Sequence, residues 1–394
     1  MLRLNFLDNL INQFNISKKI LISTFLPLLL LSALSLQDFI FSASQLQETQ
    51  KLQELSEFSS KVSTLIHETQ KERGASAGYL GSKGEQFGQE LENQRKLTDK
   101  RIEELNTFLA QFNPDQYDTD FNEKFNQANT LLTELNEKRE GISSFEISAV
   151  EGISYYTHIN KLFLDAIGHI GKLSSDRNIS LQGLAYINFL QSKERAGIER
   201  AVLSNAFGVN RFTPSTLKQF TTLVSQQDTF LKEFYLTAPP SSIQFYKDKI
   251  NSPVIEEVDK MRQIAFSRSQ EGFFRVNPTY WFKKATERIN ILKEVEDHLS
   301  QEFSNTTTQL KNKAFIQLCI QGIILLVALL SIGFTIYITQ NITQPIVQLS
   351  NVITKVAISS SQTSEAITNV SEGSQGQLQS INQVASAMEE SNAS

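Results

Sequence analysis

Two segments of the sequence place an arginine beside small residues. Arg73 is followed by Gly74, and Arg200 lies between Gly197 and Ala201. Small residues let two helices approach closely, so these arginines could face each other inside a helical bundle. A buried guanidinium without a partner is costly, and its planar fork of donors fits a planar oxyanion. The pattern therefore indicates a binding site for a small anion.

Two further arginines are candidates for the same site. Arg195 precedes Arg200 on the same segment, and Arg262 lies in a predicted helix over residues 254–267. A simpler interpretation applies to all of them, because Glu-Arg pairs on helices are usually solvated ion pairs worth less than about 1 kcal/mol. The residues alone leave both interpretations open.

The sequence lacks the residue patterns of an enzyme or a metal site. Its single cysteine, Cys319, excludes an intrachain disulfide and a cysteine-based zinc site. The four histidines are scattered, and His67 is most simply a helix-face residue. Gly78, Gly81 and Gly84 follow no predicted strand, so they indicate a helix break rather than a phosphate-binding loop. We therefore predict no enzyme activity, no metal and no cofactor.

The composition favours long helices. The 394 residues include only 8 prolines and 17 glycines. Apolar residues recur at helical spacing, as in Leu52, Leu55, Phe58 and Val62, and no run of alternating β-branched residues ends in a hairpin turn. The predicted fold class is all-α, with one or two helical bundles. The net charge of −5 lacks the excess of positive charge that is typical of nucleic-acid-binding proteins.

Two uncharged apolar stretches, residues 20–37 and 314–338, are long enough to span a membrane. A cleaved signal peptide is the alternative for the first stretch, although no convincing cleavage site follows it. Arg3, Lys18 and Lys19 precede the first stretch, which predicts a cytoplasmic N-terminus. The residues between the two stretches would then be exported.

These features divide the chain into six predicted segments. They are a cytoplasmic tail at 1–19, a transmembrane helix at 20–37, an exported helical sensor domain at 38–313, a second transmembrane helix at 314–338, a linker at 339–360 and a helical coiled coil at 361–394. This order predicts a multi-pass protein of a bacterial inner membrane whose sensor domain is periplasmic.

The last segment combines a heptad pattern with paired glutamates. Ile367, Val370 and Ile381 follow coiled-coil spacing, and Glu389 and Glu390 lie between pairs of small residues. This segment resembles the methylation region of methyl-accepting chemotaxis proteins, and residues 339–360 resemble the beginning of a HAMP linker. The resemblance implies a parallel homodimer whose Glu389 and Glu390 are substrates of a receptor methyltransferase and a methylesterase. A disordered Ser/Gln-rich tail is the alternative.

Chemotaxis receptors of that family continue to a hairpin tip that binds a histidine kinase and its coupling protein. The sequence ends at Ser394, before any segment that could form such a tip. We therefore expect this chain to be a fragment or a truncated form of a receptor, with the kinase and coupling protein as partners of the missing tip.

Three motifs of the exported segment resemble those of the NIT family, a nitrate- and nitrite-sensing domain of bacterial receptors and regulators. The matching residues are Gln70, Glu72, Arg73, Gly74, Ser76, Tyr79 and Leu80, then Lys193, Glu194, Gly197, Glu199, Arg200 and Ala201, and finally the segment 280–289 around Trp281. The resemblance covers roughly residues 55–300. It implies paired helical bundles with nitrate or nitrite held by arginines, with Arg73 and Arg200 as the main ligands and Arg195 and Arg262 as supplements.

The sequence thus predicts a transmembrane chemoreceptor that senses nitrate or nitrite and relays a helix shift to a cytoplasmic coil. Two alternatives remain. A receptor of the same architecture could sense another small ligand or a protein partner. A membrane-anchored structural coil could carry an exported bundle that senses nothing.

Overall fold

The computed structural model describes residue 14 and residues 16–169 and 176–392, which contain α-helices and short connections but no strand. The prediction of an all-α fold is therefore confirmed. We number the α-helices of this part of the chain in order. They are α1 (Ile16–Gly81), α2 (Gly88–Leu109), α3 (Thr119–Thr133), α4 (Leu135–Ser143), α5 (Ala149–Gly168), α6 (Arg177–Gly208), α7 (Pro214–Thr237), α8 (Pro240–Ile250), α9 (Pro253–Ser267), α10 (Pro278–Ile338) and α11 (Gln344–Asn392).

Prolines and capping side chains explain where several of these helices begin. Pro214, Pro240 and Pro253 occupy first-turn positions, where a missing N–H costs nothing and the fixed φ suits a helix. Ser148 and Glu151 form a reciprocal capping box at the start of α5. These local signals determine where α5, α7, α8 and α9 begin.

The chain divides into two compact units, one of residues 43–316 and one of residues 1–42 with 317–394. The first unit has an apolar core to which α1, α3, α5, α6 and α10 contribute fully buried side chains. Those of the main cluster include Phe58, Phe121, Phe163, Phe189 and Val295. A second cluster joins the end of α6 to α7, α9 and the start of α10 around Trp281. The six-segment division predicted from the sequence is not tested by this result and stays a prediction.

Within the described residues, two helices are long and apolar enough to cross a membrane, Ile22–Gly81 inside α1 and Pro278–Glu389, which begins with α10. Only 6% of each apolar window is buried. Large apolar side chains such as Leu30, Leu34, Ile323 and Leu330 are instead exposed. A π-helical turn, Thr339–Thr343, follows α10 and precedes α11, at the position where the sequence predicts a linker.

Candidate functional site

The two arginine motifs lie in the interior of the unit formed by residues 43–316. Arg73 on α1 and Arg200 on α6 are each 1% exposed. Their neighbours Glu72, Glu194 and Glu199 are also buried. The simpler interpretation of solvated ion pairs therefore does not apply to these residues. Charges held at this depth need a specific partner, because desolvation costs several kcal/mol per ion.

Arg73 has a carboxylate partner on the facing helix. Its Nη1 donates to Glu194 Oε1 at 2.5 Å, and its Nη2 donates to Glu194 Oε2 at 3.3 Å. Gln70 Nε2 donates to the same carboxylate at 2.6 Å, and Arg73 Nη1 also donates to Thr157 Oγ1 at 2.9 Å. The charge of Arg73 is thus neutralised within the protein.

Arg200 differs from Arg73 because its hydrogen bonds all go to neutral oxygens. Its Nη1 donates to Thr286 Oγ1 at 2.8 Å, and its Nη2 donates to the carbonyl oxygen of Gln70 at 3.0 Å. Its guanidinium carbon lies 4.7 Å from the ring centre of Phe282. Among the described residues, Nε of Arg200 has no hydrogen-bond partner. Arg200 is therefore a fully buried cation with spare donor capacity.

The two guanidinium groups act on each other electrostatically. Burial, together with the nearby charge of Arg73, lowers the pKa of Arg200 to about 10. Both causes disfavour the charged form of Arg200. A bound anion would relieve this repulsion by placing a negative charge beside both arginines.

Two glycines make room for the guanidinium groups. A Cβ atom at Gly74 would lie 2.6 Å from Arg200 Nη2, and a Cβ atom at Gly197 would lie 2.9 Å from Arg73 Nη2. Each arginine therefore contacts a glycine of the opposite helix: Arg200 of α6 lies against Gly74 of α1, and Arg73 of α1 lies against Gly197 of α6. Small residues beside the arginines thus have the role that the sequence indicated.

The same Glu-Arg arrangement occurs twice. Glu72 accepts two bonds from Arg139 of α4, from Nε at 2.7 Å and from Nη2 at 2.9 Å. Glu199 accepts the same two bonds from Arg262 of α9, at 2.6 and 3.0 Å. The arginine that follows each glutamate points toward the other helix. The unit therefore contains two related halves that meet at the arginines of α1 and α6.

The structure brings together two of the four arginines proposed as ligands and places the other two elsewhere. Arg262 is bound to Glu199 and also donates to Gln227 Oε1 at 3.1 Å. Arg195 lies 4.9 Å over the ring of Phe230 and donates to the side chains of Gln191 and Gln226. Neither contacts Arg73 or Arg200. Their proposed role as supplementary ligands thus receives no support from this arrangement.

The two residues predicted as methylation sites lie at the end of α11. Glu389 is exposed, as methylation would require, whereas the side chain of Glu390 lies outside the described part of the chain. The heptad positions Ile367, Val370 and Ile381 are exposed on the same helix.

Sequence reasoning did not assign functions to several groups that surround the arginine pair. Glu194, Thr157 and Thr286 contact the arginines directly. Glu194 belongs to a recognised motif, so its position was available as a signal. Thr286 of α10 lies in the recognised segment 280–289, so its position was also available as a signal. Thr157 of α5 lies in none of the three motifs, and only folding brings it to the site.

The described residues form a helical bundle with two buried arginines between α1 and α6, and comparison with known proteins places the chain within a particular family. The nitrate and nitrite sensing domain, NIT, matches residues 64–304. Since this match covers more than half of the sequence, the chain belongs to the NIT family.

Two characterised proteins are similar to this chain. The nitrate regulatory protein of Klebsiella oxytoca is 25% identical over 277 residues, which is 69% of this chain and 69% of that protein. The structure of the NasR transcription antiterminator aligns with a TM-score of 0.62 and 22% identity, covering 74% of this chain and 83% of its own. That structural likeness shows a shared fold.

Proposed function

We propose that this protein is a membrane-anchored, non-enzymatic receptor that senses nitrate or nitrite through Arg73 and Arg200. The observation that carries the proposal is the environment of Arg200, a 1% exposed guanidinium that bonds only neutral oxygens and has a spare Nε donor. An anion at this position would supply the missing negative charge. Membership of the NIT family supports nitrate or nitrite as that anion.

The chemistry of the arginine pair suits a small planar oxyanion. A guanidinium group offers parallel N–H donors in one plane, and nitrate and nitrite present oxygens in one plane. Glu194 already occupies two donors of Arg73, so Arg200 is the primary ligand and Arg73 supplies additional positive charge. Thr286 orients the Arg200 guanidinium through Nη1.

The receptor part of the proposal rests on the apolar and C-terminal segments. The exposed apolar side chains of residues 20–37 and 314–338 are compatible with contact to lipid in a plasma membrane. Binding would favour one of two arrangements of α1 and α6, by an amount equal to the ligand's differential affinity for them. The relatives are named as a nitrate regulatory protein and a transcription antiterminator, so their names do not indicate the same output.

The proposed output is that of a chemoreceptor. The exposed apolar positions of α11 would pair with a second copy to form a coiled coil, and Glu389 and Glu390 would be methylated to reset the response. A histidine kinase and its coupling protein would be the further partners. This part of the proposal is supported by the sequence pattern of α11 alone.

The direct test is calorimetric titration of the full chain in lipid nanodiscs with nitrate, nitrite, chloride and sulfate at equal ionic strength. We expect binding of nitrate or nitrite that is lost in both Arg73→Met and Arg200→Met. Thermal unfolding gives an independent readout, because a ligand at a hundred times its Kd adds about 2.7 kcal/mol to stability. Absence of any selective binding would favour the structural-coil alternative, and binding that survives both substitutions would place the ligand elsewhere.

A further inference from the structure

The two related halves of the site differ at one position that controls its charge. Glu194 precedes Glu199 and Arg200 on α6 by the same interval at which His67 precedes Glu72 and Arg73 on α1. Glu194 reaches across to the arginine of the opposite helix and pairs with Arg73. The related position that would serve Arg200 carries a histidine instead of a carboxylate.

His67 is held in its neutral form. Its side chain is 7% exposed, and Nδ1 has no hydrogen-bond partner among the described residues. Burial and the surrounding cations Lys193, Lys293, Lys71 and Arg200 all lower the pKa of His67. A neutral imidazole cannot neutralise Arg200 or add further positive charge.

The other buried carboxylates near the arginine pair each have cations of their own. Glu72 pairs with Arg139, and Glu199 pairs with both Arg262 and Arg288. Lys193 pairs with Glu296 at 2.6 Å. Glu194 is therefore the buried carboxylate that is left to pair with Arg73, and the central group of charges consists of Arg73, Arg200 and Glu194. Its net charge is one positive unit, which matches one negative charge on a ligand.

We propose that Glu194 and His67 together set the charge of the site and thereby select singly charged anions over doubly charged ones. This inference rests on the proposed function, since it concerns the anion bound by Arg73 and Arg200. A doubly charged oxyanion such as sulfate would bring an uncompensated negative charge into a buried site. A singly charged oxyanion leaves the site neutral.

The test compares nitrate and sulfate binding to the full chain in nanodiscs by titration calorimetry. Glu194→Gln raises the site charge by one unit while keeping the side-chain shape. We expect the ratio of sulfate to nitrate affinity to rise at least tenfold in this variant. Glu199→Gln is the matched control, because Glu199 is equally buried on α6 but pairs with Arg262 and Arg288 instead of Arg73. The control should leave the ratio unchanged.

A second variant tests the other half of the site. His67→Glu places a carboxylate at the position on α1 that corresponds to Glu194 on α6. This carboxylate would neutralise the remaining positive charge of the site, so we expect nitrate affinity to fall at least tenfold. It also carries the test if Glu194→Gln fails to fold, which circular dichroism would report. If wild type binds nitrate but both variants keep its affinities for both anions, the inference is wrong and the proposed function stands. If the wild type binds neither anion, both the inference and the proposed function are wrong.

Discussion

The guanidinium group of Arg200 lies directly against Gly74 of the facing helix. A Cβ atom at Gly74 would be 2.6 Å from Nη2 and 3.1 Å from Cζ of Arg200. Gly74→Ala therefore has to displace a guanidinium that is held by Thr286 and the carbonyl of Gln70. We expect a loss of stability of about 1–3 kcal/mol and a clear loss of nitrate affinity in titration calorimetry.

Gly81→Ala is the matched control for this substitution. Gly81 is the last residue of α1, and a Cβ atom there would meet nothing within 4 Å. This variant should keep wild-type anion binding. Equal losses of affinity in the two variants would mean that the close approach of Arg200 to Gly74 has no part in the site.

Replacing the two arginines by methionine should change the stability of the ligand-free protein in opposite directions. Arg73→Met leaves the carboxylate of Glu194 buried without its cation, so we expect a loss of about 3–5 kcal/mol. Arg200→Met removes a buried cation that has no acidic partner among the described residues. Because burying such an ion costs several kcal/mol of desolvation, we expect this variant to be more stable than the wild type.

Urea unfolding followed by the fluorescence of Trp281 would measure both effects. Trp281 is the chain's single tryptophan, is 1% exposed and donates from Nε1 to the carbonyl of Arg200 at 2.9 Å. If the two variants lose stability equally, Arg200 must have an internal charge partner, and the main argument for an anion site would fail.

Arg195→Ala should retain nitrate binding. Arg195 lies over Phe230 and bonds the side chains of Gln191 and Gln226, away from the arginine pair. Because its contacts are partly exposed, we expect a stability change below about 1 kcal/mol. Calorimetry on this variant, beside Arg200→Met, decides whether the site extends beyond two arginines. Loss of nitrate binding in Arg195→Ala would show that Arg195 is a ligand.

His67 should make the protein less stable in mild acid. Burial and nearby cations keep the pKa of His67 far below its ordinary value of 6.5. The unfolded chain therefore takes up a proton below about pH 6.5 that the folded chain does not, and stability falls as the pH falls. This residue contributes a slope of about 1.4 kcal/mol per pH unit.

His67→Gln should remove that part of the pH dependence. Urea unfolding from about pH 7 to about pH 5 would show a shallower decline for the variant than for the wild type. Parallel curves for the two proteins would contradict the neutral, buried state of His67.

The proposed membrane topology can be tested with cysteine labelling. Cys319 is the chain's single cysteine and is exposed on α10 within the second apolar stretch. In a membrane, contact with lipid should protect it from a charged maleimide until detergent is added.

In a Cys319→Ser background, Gln270→Cys should react from the outside of intact cells. Gln377→Cys should react only after the cells are made permeable, and the reverse pattern would invert the topology.

The helices were largely predictable because their signals are local. Apolar spacing at Leu52, Leu55 and Phe58 indicated α1, and the helix predicted over residues 254–267 corresponds to α9, Pro253–Ser267. Helix boundaries are harder to predict. The sequence indicated a helix break at Gly78, Gly81 and Gly84, but α2 begins only at Gly88 because Phe87 adopts a left-handed backbone before it. Such a loop conformation depends on packing and leaves little trace in the sequence.

The candidate site was predictable only in part. Arg73 and Arg200 stand beside small residues, which made them candidates, and the resemblance to the NIT family implied that they are the main ligands. Arg262 has the same residue type, but its partner Glu199 is set by the packing of α9 against α6. The sequence pattern does not show which arginine has a carboxylate partner in the folded protein and which does not.

The sequence by itself determined the all-helical fold, the two apolar stretches and the pair of arginine motifs, because each depends on residues close together in the chain. The tertiary structure alone decided which arginine is neutralised. Glu194 lies six positions before Arg200, yet it pairs with Arg73 of the opposite helix. Helix packing sets the distance between charges, and in a buried site that distance determines which cation is left for a ligand.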